Sequence, residues 1–295
     1  MKTQPLTPLP GWRQRLLLNE DLNFLLTNRI PRRLLTQFIG WYSRIRSRWL
    51  TRWSIAVWRQ FTELDLSDAA KKQFDSLHDC FTRELRPGAR PLDGRADHLV
   101  SPVDALVGAC GRIEAGTVLQ AKGMPYTLSE LLGCDAEVAR FEGGQYLTLR
   151  LTSAMYHRFH APDDARIEHV RYLSGDCWNV NPIALRRIER LFCRNERAPI
   201  FLRLGDGTPL AIVPVAAVLV ASIRFHFLGT EPYPRRRGAT ELHCDVAVRR
   251  GQELGWFEHG STLVVLLPAG FESLVAPGQR LRMGQALLRR VTAAS

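Results

Sequence analysis

The sequence predicts an α+β protein: N-terminal amphipathic helices followed by a β-rich domain of mainly antiparallel sheet. Three observations carry this prediction. Over residues 30–61, apolar and aromatic residues recur at helical spacing with arginines between them. Between residues 106 and 267, nine short apolar segments follow one another, punctuated by Gly, Pro and Asp-Gly steps such as Gly205-Asp206-Gly207. Only two short helical stretches, 128–132 and 182–190, fall among them. A chain of 295 residues that is 45% hydrophobic and 23% charged suits one large domain or two smaller ones. The expected division is a helical segment 1–64 and a β-rich domain 65–295.

The first element is the most unusual in composition. The net charge is +11, and residues 1–60 hold eleven basic side chains against only Glu20 and Asp21. The same stretch holds five of the seven tryptophans: Trp12, Trp41, Trp49, Trp53 and Trp58. Leu34, Leu35, Phe38, Ile39, Trp41 and Tyr42 make one helical stripe, and Ile45, Trp49, Trp53 and Val57 continue it at i, i+4. Basic, tryptophan-rich amphipathic helices lie in the membrane interface, with rings at headgroup depth and arginines on anionic lipid. Two other readings stand beside this one: a helical pair packed on the core, and a nucleic-acid patch. So many tryptophans favour an interface over a phosphate groove, so nucleic acid is not expected as a partner. No apolar run approaches the ~20 residues that span a bilayer. Residues 1–10 are polar and proline-rich and lack the apolar core of a signal peptide.

Residues 65–85 read as a helix, with a cap at Leu66-Ser67-Asp68-Ala69 and a stripe of Phe74, Leu77, Cys80 and Phe81. A loop rich in proline and arginine follows over 83–92. The expected strands are 106–113, 117–120, 146–151, 166–173, 200–204, 210–215, 218–225, 242–248 and 261–267. Six cysteines are scattered with no CxxC pair, which supports neither a disulfide framework nor a zinc site and fits a reducing compartment.

Three clusters carry chemistry. Gly260-Ser261-Thr262 leads into the apolar segment 263–267. It reads as a tight turn, or as a self-cleavage site where the serine hydroxyl attacks the preceding glycine carbonyl. Tyr156-His157-Arg158-Phe159-His160-Ala161-Pro162 holds two histidines at i, i+3. The helical zinc signature needs i, i+4 and a glutamate, and Pro162 argues against a helix, so no metal is expected. Either histidine could equally be a packed, hydrogen-bonded side chain. Asp104, in Ser101-Pro102-Val103-Asp104-Ala105, precedes a strand, where an aspartate is most often a turn or capping residue. Together, Asp104, a histidine and Ser261 supply an orienter, a base and a nucleophile.

These clusters and four further segments occur in one order. They are the arginine/tryptophan helices of 30–61, Phe81-Thr82-Arg83-Glu84-Leu85-Arg86-Pro87, Ser101-Pro102-Val103-Asp104, and Lys122-Gly123 with Tyr126 through Leu132-Gly133. Then come the Tyr156–Pro162 cluster, Phe192-Cys193-Arg194-Asn195-Glu196-Arg197, and Gly251-Gln252-Glu253-Leu254-Gly255-Trp256-Phe257 running into Gly260-Ser261-Thr262. In this the chain resembles the phosphatidylserine decarboxylase proenzymes of the bacterial, membrane-associated type. The resemblance implies a triad of Asp104, His160 and Ser261 and scission between Gly260 and Ser261. Ser261 would attack the Gly260 carbonyl, an N→O acyl shift would leave an ester, and β-elimination would break it. Loss of ammonia would turn Ser261 into a pyruvoyl group, the sole cofactor implied, on a small chain 261–295 paired with a large chain 1–260. That group would form a Schiff base with phosphatidylserine and give phosphatidylethanolamine and carbon dioxide, with His157 as proton donor or carboxylate contact. Segment 1–64 would hold the enzyme peripherally on the cytoplasmic side of the cell membrane, against anionic lipid, and 65–295 would be the catalytic domain. A homodimer is compatible with this. Arg83, Arg86, Lys122 and Arg197 are phosphate contacts by charge alone.

The chain departs from the family pattern at three places. His259 stands where leucine is usual, Ala105 where glycine is usual, and Thr152-Ser153-Ala154-Met155 where Ser-Pro-x-Asp is common. None removes a triad member. A lipid-binding relative that does not mature is the alternative reading, and decarboxylation of another amine-bearing acid is a third.

Overall fold

A computed structural model describes residues 32–121, 124–217, 223–228, 239–258 and 261–291. Its centre is an eight-stranded antiparallel sheet in the order β11-β7-β8-β9-β13-β5-β2-β15. The strands are β2 (Ala105–Arg112), β5 (Gln145–Leu151), β7 (Ala165–Leu173), β8 (Ile200–Leu204), β9 (Pro209–Ala216), β11 (Ala239–Val248), β13 (Ser261–Leu267) and β15 (Arg280–Leu281). β13 is an interior strand, paired with β5 over seven residues and with β9 over six. All seven of its residues are buried, because the sheet is covered on both faces. That is why 263–267 reads as an unbroken apolar run rather than an alternating one.

Alternation reappears in which core each residue joins. Leu263, Val265 and Leu267 face one core, with Phe159, Ile223, Phe225, Leu254 and Phe257. Those partners come from a second sheet of β6 (Arg158–His160), β10 (Ile223–Phe225) and β12 (Glu253–Phe257), in the order β10-β12-β6. A third sheet, of β1 (His98–Val100), β14 (Phe271–Ser273) and β16 (Ala286–Arg290), adds Leu99, Phe271, Leu287 and Leu288. Val264 and Leu266 face the opposite core. That core is closed by the hairpin of β3 (Thr117–Ala121) and β4 (Met124–Thr127) and by short helices at Leu128–Leu132, Pro182–Arg187 and Leu191–Arg194. Thr127 and Glu130 form a capping box, and Gly133 ends that helix at φ 66°, a left-handed conformation that favours glycine. Gly255 is required by close approach: a Cβ there would overlap the Arg224 carbonyl and the Phe159 ring.

The expected α+β class is the observed one. Helix α1 (Arg32–Ser43) and helix α2 (Arg48–Phe61) lie where the amphipathic pattern put them, joined by a Tyr42 Oη–Ser54 Oγ hydrogen bond of 2.8 Å. Ser47 caps α2 by accepting from the Leu50 amide. The expected helix over 65–85 is not formed; only Leu77–Phe81 (α3) is helical. Ser67 donates its amide to Asp65, and Ala69 pairs with Leu85, so the chain doubles back on itself. Its apolar residues are buried nonetheless: Leu64, Ala69, Phe74 and Cys80 pack with Ile55 of α2 and with Ala154. Tertiary burial overrides a helical period when the stripe can be covered by another path. The helix expected over 182–190 stops at Arg187, and its first turn is capped by Asn181. Of 218–225 only Ile223–Phe225 is a described strand. Lys122, Gly123, His259 and Gly260 lie outside the described residues.

Candidate active site

Ser261 opens β13, opposite Leu151 at the end of β5 and Ala216 at the end of β9. Both neighbours are themselves held. The Asn195 side chain donates to the Ala216 carbonyl at 2.8 Å, and the Ala216 amide donates to the Glu196 carbonyl. Leu151 runs directly into the loop 152–157. The Ser261 hydroxyl is fully buried and has no hydrogen-bond partner among the described residues.

His157 immediately precedes β6 and His160 is its last residue, and both are buried. His157 Nδ1 donates to the Met155 carbonyl at 2.8 Å, since a carbonyl can only accept. Its ring packs on Phe81 at 3.9 Å between centroids, and Phe81 stacks in turn on Trp58 of α2 at 6.1 Å. The His157 carbonyl accepts from the Phe257 amide, which ties the loop to β12. His160 Nδ1 donates to the Gly251 carbonyl at 2.9 Å, leaving the Nε2 lone pair to accept from the Tyr156 hydroxyl at 3.1 Å. Burial holds the imidazole of His160 below the ordinary histidine value, against the smaller upward pulls of its Gly251 bond, Glu253 and Asp104. Burial pushes the Tyr156 phenol up, and the neighbouring Glu253 carboxylate pushes the same way.

Asp104 sits beside this pair without bonding to it. The His160 amide donates to the Pro102 carbonyl at 2.9 Å, which brings the Ser101–Asp104 loop against β6. The Asp104 carboxylate is gripped by Arg90, whose Nε and Nη2 donate to Oδ1 and Oδ2 at 2.9 and 2.6 Å, and by the Met283 amide at 2.8 Å. The structure therefore sets Asp104 beside His160, with His157 three residues away in the same segment. It leaves Asp104–His160 and His160–Ser261 without direct hydrogen bonds among the described residues. Sequence reasoning missed Arg90, Tyr156 and Glu253 as partners, although all three lie in or beside the quoted motifs. Of the arginines expected at phosphate, Arg197 is turned inward, donating to the carbonyls of Leu131, Glu130 and Asn195. Arg83 is buried against the carbonyls of Cys80 and Ala154, while Arg86 is exposed and donates to the Ser67 carbonyl. A cleft of about 350 Å³ opens between the end of α2 and the 152–155 loop, lined by Phe61, Thr62, Glu63, Met155 and Arg280 among others. All six cysteines are free thiols.

The family model for phosphatidylserine decarboxylase matches residues 77–289. A phosphatidylserine decarboxylase proenzyme of Methylibium petroleiphilum is 37% identical, over 92% of this chain and 98% of its own. Those of an Anaeromyxobacter species and of Saccharophagus degradans are 36% and 31% identical, covering 92% and 94% of this chain and 99% and 100% of theirs. The matched span takes in the Asp104 loop, both histidines and the Ser261 strand. The order of the sequence motifs and similarity over nearly the whole chain lead to one conclusion: the chain belongs to the phosphatidylserine decarboxylase family.

Proposed function

We propose that this decarboxylase processes itself at the Gly260–Ser261 bond and converts phosphatidylserine to phosphatidylethanolamine and carbon dioxide with a pyruvoyl group made from Ser261. The observation that carries the reading is the Ser261 hydroxyl, fully buried and without a hydrogen-bond partner among the described residues. Thr148 and Thr262 carry buried hydroxyls of the same kind, but of the three only Ser261 follows a glycine. Ser261 also fits the pyruvoyl precursor chemically, as a serine that follows glycine at the first position of a buried strand.

The chain's own residues divide the work. His160, with Nδ1 committed to Gly251, presents Nε2 as the base for the Ser261 hydroxyl proton. For that step its lone pair passes from the Tyr156 hydroxyl to Ser261. Asp104 supplies the negative charge that stabilises the imidazolium. The serine oxygen then attacks the Gly260 carbonyl, the scissile amide nitrogen departs to leave an ester, and β-elimination frees chain 1–260 as a carboxylate; the dehydroalanine left on chain 261–295 tautomerises to an imine, which water hydrolyses to the ketone with release of ammonia. Once formed, the pyruvoyl ketone supplies an electron sink for loss of carbon dioxide from an amine-bearing acid. His157, with Nδ1 fixed by Met155, carries or delivers the proton at Nε2. The cleft beside Met155, rimmed by Phe61 and Arg280, suits an anionic headgroup entering from a lipid surface.

Residues 1–64 act as the membrane-associating segment and 65–295 as the catalytic domain, on the cytoplasmic face of the membrane. Trp41, Trp49, Trp53, Phe38 and Phe61 all stand largely exposed, as interfacial anchors do. No helix among the described residues is long and apolar enough to cross a bilayer. A second reading, a lipid-binding relative that does not mature, takes its support from the hold of Arg90 on Asp104 and of Tyr156 on His160. Intact mass and a denaturing gel of freshly folded protein separate the two. Self-processing gives a 1–260 chain and a 261–295 chain whose N-terminus is blocked to Edman degradation. A single joined chain that is active on lipid overturns the first reading, and one that only binds lipid supports the second.

A further inference from the structure

Glu258 is almost completely buried, yet no step of the chemistry above uses it. Its carboxylate is bracketed by two arginines from different parts of the fold. Arg44 Nη2, in the connection between α1 and α2, donates to Oε2 at 2.9 Å, and Arg224 Nε, in β10, donates to Oε1 at 3.4 Å. His78 of α3 also feels this carboxylate. A buried carboxylate holds its place only when paired and hydrogen-bonded, so the two guanidinium groups fix the Glu258 side chain and the backbone that carries it. Glu258 lies two residues before Gly260. On the other side of the scissile bond, Ser261 is held between β5 and β9. The two described residues flanking the His259-Gly260 dipeptide are thus both anchored, one by the sheet and one by the ion-pair bracket.

From this juxtaposition we infer that Glu258, clamped by Arg44 and Arg224, is a positioning residue for self-cleavage, anchoring the chain that leads into the Gly260–Ser261 bond. The inference rests on the self-processing reading above. Attack needs the reacting atoms held in a near-attack geometry, and small displacements are expensive in rate. The clamp also makes cleavage depend on the α1–α2 connection. Arg44 lies between the exposed Trp41 and Trp49, so the segment proposed to meet lipid also holds Glu258.

The test is a time course of chain scission in freshly folded full-length protein. Glu258→Gln and Arg44→Ala are each expected to slow scission by about tenfold. The double variant should be no slower than Glu258→Gln alone, because the two act as one unit. Arg44→Lys, which keeps the charge, should restore a rate within about twofold of the wild type. Hydroxylamine, which releases the small chain from the ester formed by the N→O shift, should release less in Glu258→Gln at early times. Circular dichroism and the thermal midpoint in a Ser261→Ala background report folding separately from scission. The clamp is overturned if Glu258→Gln is cleaved at the wild-type rate. It is equally overturned if the loss of scission follows only loss of fold and Arg44→Lys rescues nothing. Wild-type protein that stays joined would sink the self-processing reading itself; normal wild-type scission with an unaffected Glu258→Gln would sink only the clamp.

Discussion

His157 and His160 are three residues apart and both buried, yet their surroundings differ, and the different duties proposed for them rest on that difference. His160 faces a phenol, a main-chain carbonyl and the charge of Asp104, whereas His157 is packed beneath an aromatic ring. Ser261→Ala removes the nucleophile, so neither small chain nor turnover should appear on a gel or in a decarboxylation assay. His157→Ala should leave scission intact and lower turnover by about 10²–10⁴-fold, the usual reach of a general acid; an uncleaved precursor would reverse the two roles. The depressed value of His160 fixes the sign of the pH dependence. Its neutral, basic form is present above the folded value and is lost as pH falls through it, so scission should be flat near neutrality and decline below a midpoint under 6.5. Any stability linked to the neutral imidazole disappears in the same direction, on acidification. Scission rates measured across pH 5–8 (about the histidine range) check this, and a midpoint above 6.5 would contradict burial as its cause. At this scale the motifs single out Asp104, His160 and Ser261 as candidates, and the structure sets the first two side by side through the His160 amide on the Pro102 carbonyl. The sequence was silent where a contact joins distant segments, as when Arg90 grips Asp104 or Arg158 pairs with Glu253.

At the scale of elements, a pattern was readable where one face alone decides burial. The α1–α2 period predicted two helices, and the structure buries Thr51, Ser54 and Ile55 of α2 while leaving Trp49 and Trp53 76% and 56% exposed. The 65–85 period misled because its apolar residues are covered by α2 and Ala154 along a folded-back path that local spacing does not encode. Strands β6 and β12 escaped notice because they are three and five residues long and carry Arg158, His160 and Glu253. The exposed aromatic face has a measurable consequence. An indole that moves from water into the interface gains on the order of 1–2 kcal/mol, from the ~25 cal/mol per Å² of apolar area it buries. Trp49→Ser and Trp53→Ser should therefore each weaken sedimentation with anionic vesicles by about tenfold, with soluble-state circular dichroism unchanged. Raising salt should weaken binding further through the arginines. Vesicle binding that is indifferent to both changes would favour a helical pair serving only to pack.

For the whole molecule, the decisive fact is where the proposed break falls. The segment after Ser261 supplies β13 to the middle of the eight-stranded sheet, β15 to its edge, and β14 and β16 to another sheet. Leu263, Val264, Val265, Leu266, Leu267, Leu287 and Leu288 are all fully buried within it. Breaking the chain at the mouth of β13 removes none of these contacts and leaves the ladders of residues 262–267 with β5 and β9 in place; only the Ser261 amide is given up. It does remove the covalent link that keeps β13 at high effective concentration beside its neighbours. The mature protein should thus remain one particle on native size exclusion, with both chains in equal amounts. Denaturant should separate the chains, and refolding from the separated state should become dependent on protein concentration, unlike the unimolecular refolding of a Ser261→Ala precursor. Dilution tests the point directly: stepwise dilution after denaturation should slow recovery of native circular dichroism in the cleaved protein and leave the precursor's rate unchanged. Equal, dilution-independent recovery in both would mean that the 261–291 strands contribute far less to cohesion than their burial requires.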